Sequence, residues 1–116
     1  MNWLTMTDEE IMRIASPIMD NLMQASTDKD HQKHIKDFSE NMKKIVTKEN
    51  FLMQCEEYQL QLGLFTKREL VGVFKKQKDV RIFWKQWYSK SSDEYLAFLH
   101  LIKRDDKIEV INASVS

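Results

Sequence analysis

The sequence has little of what usually marks a chemistry. It holds a single cysteine, Cys55, so no internal disulfide can form. Proline occurs once, at Pro17, and glycine twice, at Gly63 and Gly72. That scarcity excludes a collagen-like or linker-rich chain, and it leaves no glycine-rich loop to cradle a phosphate. The patterns HExxH, CxxC and GxSxG and the calcium-binding loop are missing as well. No apolar run approaches the ~20 residues that a membrane-spanning helix needs. The start, Met1-Asn2-Trp3-Leu4-Thr5-Met6, lacks the basic region and apolar run of a signal peptide. The residues given are therefore expected to hold no signal peptide and to make no membrane contact, and the cysteine usage fits a cytoplasmic setting. Lys plus Arg and Asp plus Glu stand at 18 each, so the excess positive charge of a dedicated nucleic-acid binder is also absent.

What is present suits one small globular domain spanning residues 1–116, with 42% hydrophobic and 31% charged side chains. Size scaling gives burial of about two thirds of the unfolded surface, enough for a core without staples. The zero net charge hides an asymmetry. Residues 1–66 carry 7 basic and 11 acidic side chains, whereas residues 67–116 carry 11 basic and 7 acidic. Such a polarised surface can steer a partner or pair with another subunit.

Thr7-Asp8-Glu9-Glu10 reads as a capping box. Ile11, Ile14, Ala15, Ile18, Leu22 and Ala25 then recur at helical spacing, with Met12, Met19 and Met23 widening the stripe. Pro17 is expected to kink this helix or to mark its restart. A turn at Ser26-Thr27-Asp28 precedes a second helix over about 30–44, whose apolar side is His34, Ile35, Phe38, Met42 and Ile45. Thr47-Lys48-Glu49-Asn50 caps a third helix through Phe51, Cys55, Tyr58 and Leu62, which Gly63 closes. Past Gly63 the period changes to two. Strands are expected over Arg68–Gln77, Val80–Ser89, Glu94–Lys103 and Ile108–Val115, joined by short hairpin turns. In the first strand, Leu70, Gly72 and Phe74 should face one way and Val71 and Val73 the other. The fold class is α+β, with N-terminal helices on a curved four-stranded antiparallel meander.

Few residues suggest a reaction. His31 and His34 lie three apart beside acidic residues, a spacing that suits a metal but lacks a third ligand, so they read as helix surface and no metal site is expected. Cys55 reads as a small core residue. His100 lies in the third strand with Leu96, Phe98 and Ile102. An inward imidazole there is a candidate general base, with Tyr58 or Tyr95 as its partner, against the alternative of a structural histidine. Lys75, Lys76, Lys78, Arg81 and Lys85 interleave with aromatic residues, a mixture that can stack bases or simply solvate an outer sheet face.

The aromatic strands are the most informative feature. Trp84 and Trp87 must lie on opposite faces of a regular strand, so both faces need cover. Trp84, Trp87, Tyr88 and Phe98 are accordingly candidates for a ligand contact or an interface.

The order of elements, with Phe38-Ser39-Glu40-Asn41-Met42-Lys43 and Leu62-Gly63-Leu64-Phe65 before four strands, resembles the NTF2-like (cystatin-like) superfamily, and within it small bacterial domains of unknown function. The resemblance spans about Asp8 to Val115. It implies a cone of helices in a curved sheet, and frequent dimerisation through that sheet. Enzymes of the superfamily place an Asp or His at the pocket mouth opposite a Tyr or an acidic donor. This chain matches that pattern only through His100 with Tyr58 or Tyr95. The expected function is a noncatalytic domain that forms a homodimer through its sheet and holds a small apolar ligand or peptide, without a cofactor. An isomerase or hydratase using His100, and weak peptide or nucleic-acid binding by the basic sheet, are the alternatives.

Overall fold

The computed structural model describes residues 2–116. Its first long element begins where the capping box lies. The Glu10 amide donates to the Thr7 hydroxyl at 3.1 Å, and the Thr7 amide donates to the Glu10 carboxylate at 2.9 Å. Helix α1 (Asp8–Asp28) then runs without interruption through Pro17. The expected kink or restart is not needed, because Pro17 sits on the exposed side. Arg13, whose carbonyl loses its helical partner there, is likewise an exposed residue. The buried positions Ile11, Ala15, Met19 and Leu22 hold the opposite side to the sheet.

The expected helix over 30–44 is instead two short pieces, α2 (His31–His34) and α3 (Glu40–Ile45). The backbone between them is used elsewhere. The Val110 amide donates to the Asp37 carbonyl at 2.7 Å, and the Ser39 amide donates to the Val110 carbonyl at 2.9 Å. Phe38, buried between these bonds, lies parallel to the last strand, and Ser39 caps α3 through the Met42 amide. A tertiary pairing thus overrides local helix propensity. Helix α4 (Lys48–Leu62) starts at the Thr47 cap and ends at Gly63. Gly63 has φ of 82°, and a Cβ there would fall 2.1 Å from the Ser89 hydroxyl oxygen. Only glycine allows α4 to turn this close to the sheet.

Four strands follow: β1 (Phe65–Lys75), β2 (Asp79–Tyr88), β3 (Tyr95–Arg104) and β4 (Lys107–Val115). They form an antiparallel meander in sequence order. The architecture is α+β, four helices packed with one open sheet. A register shift between Leu70 and Gly72 corrects the expected facing of β1. The extra residue resets the alternation, so Leu70 shares the face of Trp84 and Val73 that of Ile82, while Gly72 and Phe74 lie on the other.

The core lies between α1 and the inner face of the sheet. Val80, Ile82 and Trp84 of β2, Ala97, Leu99 and Leu101 of β3, and Val110 of β4 are buried there. Trp3, in a 3-10 turn at Trp3–Thr5, closes one end of this core, and its amide donates to the Gln77 carbonyl at 3.2 Å. Two charged side chains of β1 lie on this face, Lys75, which reaches Asp8 and the Met6 carbonyl, and Arg68. The Arg68 guanidinium pairs with Asp20 of α1 and lies 5.5 Å from the Trp84 ring and 5.1 Å from that of Phe65.

Candidate ligand-binding cleft

The inner face changes character toward one end of the sheet. Beyond Trp84 the inward positions of β2 are Gln86 and Tyr88, and β3 opens with Tyr95. Helix α1 contributes Met19, Leu22, Met23 and Ser26, and α4 contributes Tyr58 and Leu62. The space they enclose with α3 and the last residues of β4 is a cleft of about 540 Å³. That size falls within the usual range for small-ligand sites, and its lining is mainly apolar.

Tyrosines cross the cleft in a row. The Tyr58 and Tyr88 rings meet edge to face at 5.6 Å, and Tyr88 and Tyr95 do so at 5.4 Å. Each phenol has a different setting. The Tyr58 and Ser26 hydroxyls are 2.6 Å apart. Gln59 donates to the Ser26 carbonyl at 3.1 Å, which ties α4 to the end of α1. Gln86 is fully buried and donates to the Tyr88 hydroxyl at 3.0 Å and to the Met23 sulfur at 3.2 Å. Because Tyr88 accepts that bond, its own hydrogen remains available to donate. Burial pushes the Tyr88 phenol up from its ordinary value, so it stays protonated at neutral pH.

His34 closes another side. It packs 4.5 Å from the Phe51 ring and 5.4 Å from that of Phe38. Its Nδ1 lies 3.2 Å from the Leu22 carbonyl, to which it donates in the neutral tautomer. Burial lowers its pKa to about 4, so the ring is neutral at pH 7. Among the described residues, Glu57 is then the one charged side chain in the lining. Cys55 is buried behind the tyrosines, 3.6 Å from the Ser26 hydroxyl, and burial pushes its thiol up. An inert thiol is the consequence.

The sequence candidates divide between the two faces. Tyr58, Tyr88 and Tyr95 converge on the cleft. Trp84 is 3% exposed and belongs to the core, so it is corrected from a ligand or interface contact to a packing residue. Phe98 and Trp87 lie on the outer face. His100 lies there too, because the inward positions of β3 are Leu99 and Leu101. It does share a face with Leu96, Phe98 and Ile102, but that face is the outer one. Its Nε2 is 3.0 Å from the Asp79 carboxylate. The expected pairing of His100 with Tyr58 or Tyr95 is therefore corrected: the sheet separates them.

On the outer face Phe74 and Phe83 meet at 5.4 Å, Phe83 and Phe98 stack at 5.0 Å, and His100 follows at 6.1 Å. Phe74 remains 55% exposed. The cations that interleave with aromatic residues in the sequence are partly engaged within the chain. Lys85 pairs with Glu94 and Arg81 with Asp79, while Lys75 turns to the inner face and pairs with Asp8 of α1. The Lys67 ammonium lies 4.7 Å over the Trp87 ring. His31, the other half of the metal-like spacing, has its Nε2 2.8 Å from the Val46 carbonyl. Among the described residues, no three His, Cys, Asp or Glu side chains come together to hold a metal.

Gln86, Ser26 and Gln59 were not singled out from the sequence, although together they anchor the tyrosine row. Gln86 carried a legible signal, a polar residue in the inward phase of an otherwise apolar strand. Ser26 and Gln59 carried none, since their meeting depends on how α1 and α4 cross.

No protein-family model and no curated protein matches the chain. Solved structures do. A SEC-C motif containing protein from Rhodopseudomonas palustris, RPA3114, is similar with a TM-score of 0.62 and 9% identity, over 86% of this chain and 77% of that one. Bd1075 of Bdellovibrio bacteriovorus is similar with a TM-score of 0.54 and 13% identity, over 90% of this chain. The chain spans only 39% of Bd1075. At these identities the likeness is one of fold.

Proposed function

We propose that the chain is an NTF2-like domain of a bacterial cytoplasmic protein, a noncatalytic binding module that holds a small apolar ligand or peptide in its cleft. The observation that carries this reading is the cleft itself. Methionine, leucine and valine side chains supply an adaptable apolar lining, and the Tyr88 phenol offers a fixed donor within it. The lining favours binding over acid–base catalysis. A histidine with a pKa of about 4 is a weak base at neutral pH, and the Tyr88 phenol is held protonated.

The test uses N-phenyl-1-naphthylamine, a neutral probe that brightens in apolar surroundings. Binding should saturate with one site per chain. Val46→Trp, which puts an indole into the cleft lining just past the end of α3, should abolish it while leaving the far-ultraviolet spectrum unchanged. Equal brightening in the variant would contradict the reading.

The homodimer belongs to the same proposal. The aromatic row Phe74, Phe83 and Phe98 gives the outer face of the sheet an apolar strip among charged residues, the composition of a pairing surface. Sedimentation at tens of micromolar should find a dimer, and a monomer at that concentration would remove this part.

A further inference from the structure

We infer that the cleft takes its occupant as an extended peptide strand, added to the free edge of β4, with apolar side chains entering the cleft and a basic one beside Glu57. This rests on the reading of the cleft as a binding site, and it names the class of ligand.

The phase of the backbone carries the inference. Ser116 and Leu96 exchange both backbone hydrogen bonds, at 2.7 and 3.0 Å. Antiparallel pairing alternates, so Ser114 and Asn112 bond to β3 in the same way, while the N–H and C=O groups of Ala113 and Val115 point away from it. After the register shift between His100 and Leu101, Val110 points outward too. There the edge is occupied, for Val110 bonds to both Asp37 and Ser39. Residues 37–39 thus begin a parallel fifth strand and abandon it when Ser39 turns into α3. Beyond that point the outward groups of Ala113 and Val115 bond to no other described residue.

This open edge faces the cleft and not bulk solvent alone. Residues 113–116 all contribute to the lining. Successive strand residues point to opposite faces, so four in a row can line one cavity only if it lies along the strand's edge. The facing wall is formed by Met42 and Val46 of α3 and by Glu57 and Tyr58 of α4. An added strand would satisfy the four outward backbone groups and direct alternate side chains among the methionines. Glu57 is the charged group of that wall, and no Lys or Arg lines the cleft among the described residues, so a basic peptide is the complementary one.

The test compares an acetylated hexapeptide of alternating valine and lysine with two N-methylated forms, one methylated on the valine amides and one on the lysine amides. Both keep all side chains, but only one set of amides faces β4. One form should bind roughly tenfold more weakly and the other should bind as the parent does. The parent should shift the Ala113 and Val115 amide resonances. Val115→Pro, which deletes an outward N–H and leaves the ladder to β3 intact, should weaken the peptide about tenfold relative to Val115→Ala. Equal binding of both methylated forms would overturn strand addition. If N-phenyl-1-naphthylamine binds and the peptide does not, strand addition fails and the cleft reading stands; if neither binds, both fail. A dimer broken by Val115→Pro would overturn the inference by assigning the edge to a second copy.

Discussion

The two faces of the sheet draw on the same strands and on similar side chains, yet they have different fates. On the inner face Ile82, Trp84, Leu99 and Leu101 are sealed by α1 and by Trp3. On the outer face Phe74, Phe83 and Phe98 touch one another and remain partly exposed. The outer aromatic row is as apolar as the core behind it, but it lies among charged residues and is left partly exposed. On the inner face a cleft opens at the end where Gln86, Tyr88 and Tyr95 replace aliphatic residues, beside the last residues of β4. The comparison is thus between a closed core, an open cleft continuous with it, and an uncovered aromatic strip behind both.

Adjacent residues of β2 give the largest test of that contrast. Trp84→Ala should cost about 3–5 kcal/mol, since it opens a void in the closed core and removes the ring beside the Arg68 guanidinium. Phe83→Ala, one position along and facing out, should cost about 1 kcal/mol. Urea unfolding measures both, and equal losses would mean that the outer face is covered.

The next effect separates the cleft from the core by pH. His34 has a pKa of about 4 in the folded chain against an ordinary value of 6.5. It therefore binds fewer protons folded than unfolded between those values, and stability falls as pH drops through that window. The loss should reach at most about 3 kcal/mol near pH 4, and it should be absent above pH ~6.5. His34→Gln should remove this part of the slope in an unfolding series from pH 7 to pH 4. An unchanged slope would contradict a buried neutral imidazole in the cleft wall.

Gly63→Ala should cost about 2 kcal/mol, because φ is 82° and the new methyl would meet the Ser89 hydroxyl. It should also loosen probe binding, since this turn fixes α4 against the ends of β1 and β2. Loss of stability without any change in binding would uncouple the cleft from that turn. The smallest expected effect on stability, about 1 kcal/mol, is that of Phe98→Lys, at a half-buried outer position where the ring stacks on Phe83. Its readout is sedimentation, where it should convert the proposed dimer to monomer. A dimer that persists would place the pairing surface elsewhere.

Much of this fold was legible because the signals were local. The Thr7 and Thr47 caps, the stop at Gly63 and the change of period beyond it mark α1, α4 and all four strands to within a few residues. What was not legible came from contacts distant in sequence. The break between α2 and α3 arises because Val110 captures the backbone at Asp37 and Ser39. The bulge in β1 turned its alternation, and Gly72, an isolated glycine inside the strand, was its one local signal. The same limit applied to the site. Tyr58 and Tyr95 could be named from the sequence, but which face His100 shared with them depended on which parity of β3 met α1. Leucines at 99 and 101 decided that, and they sent His100 to the other side.

The most direct test is a titration of isotopically labelled protein with N-phenyl-1-naphthylamine, followed by amide resonances across both faces of the sheet. The expected result is a set of shifts confined to Ser26, Tyr58, Tyr88, Tyr95 and residues 113–116, with Phe74, Phe83, Phe98 and His100 unmoved. Shifts centred on the outer aromatic row, with the cleft silent, would contradict the account.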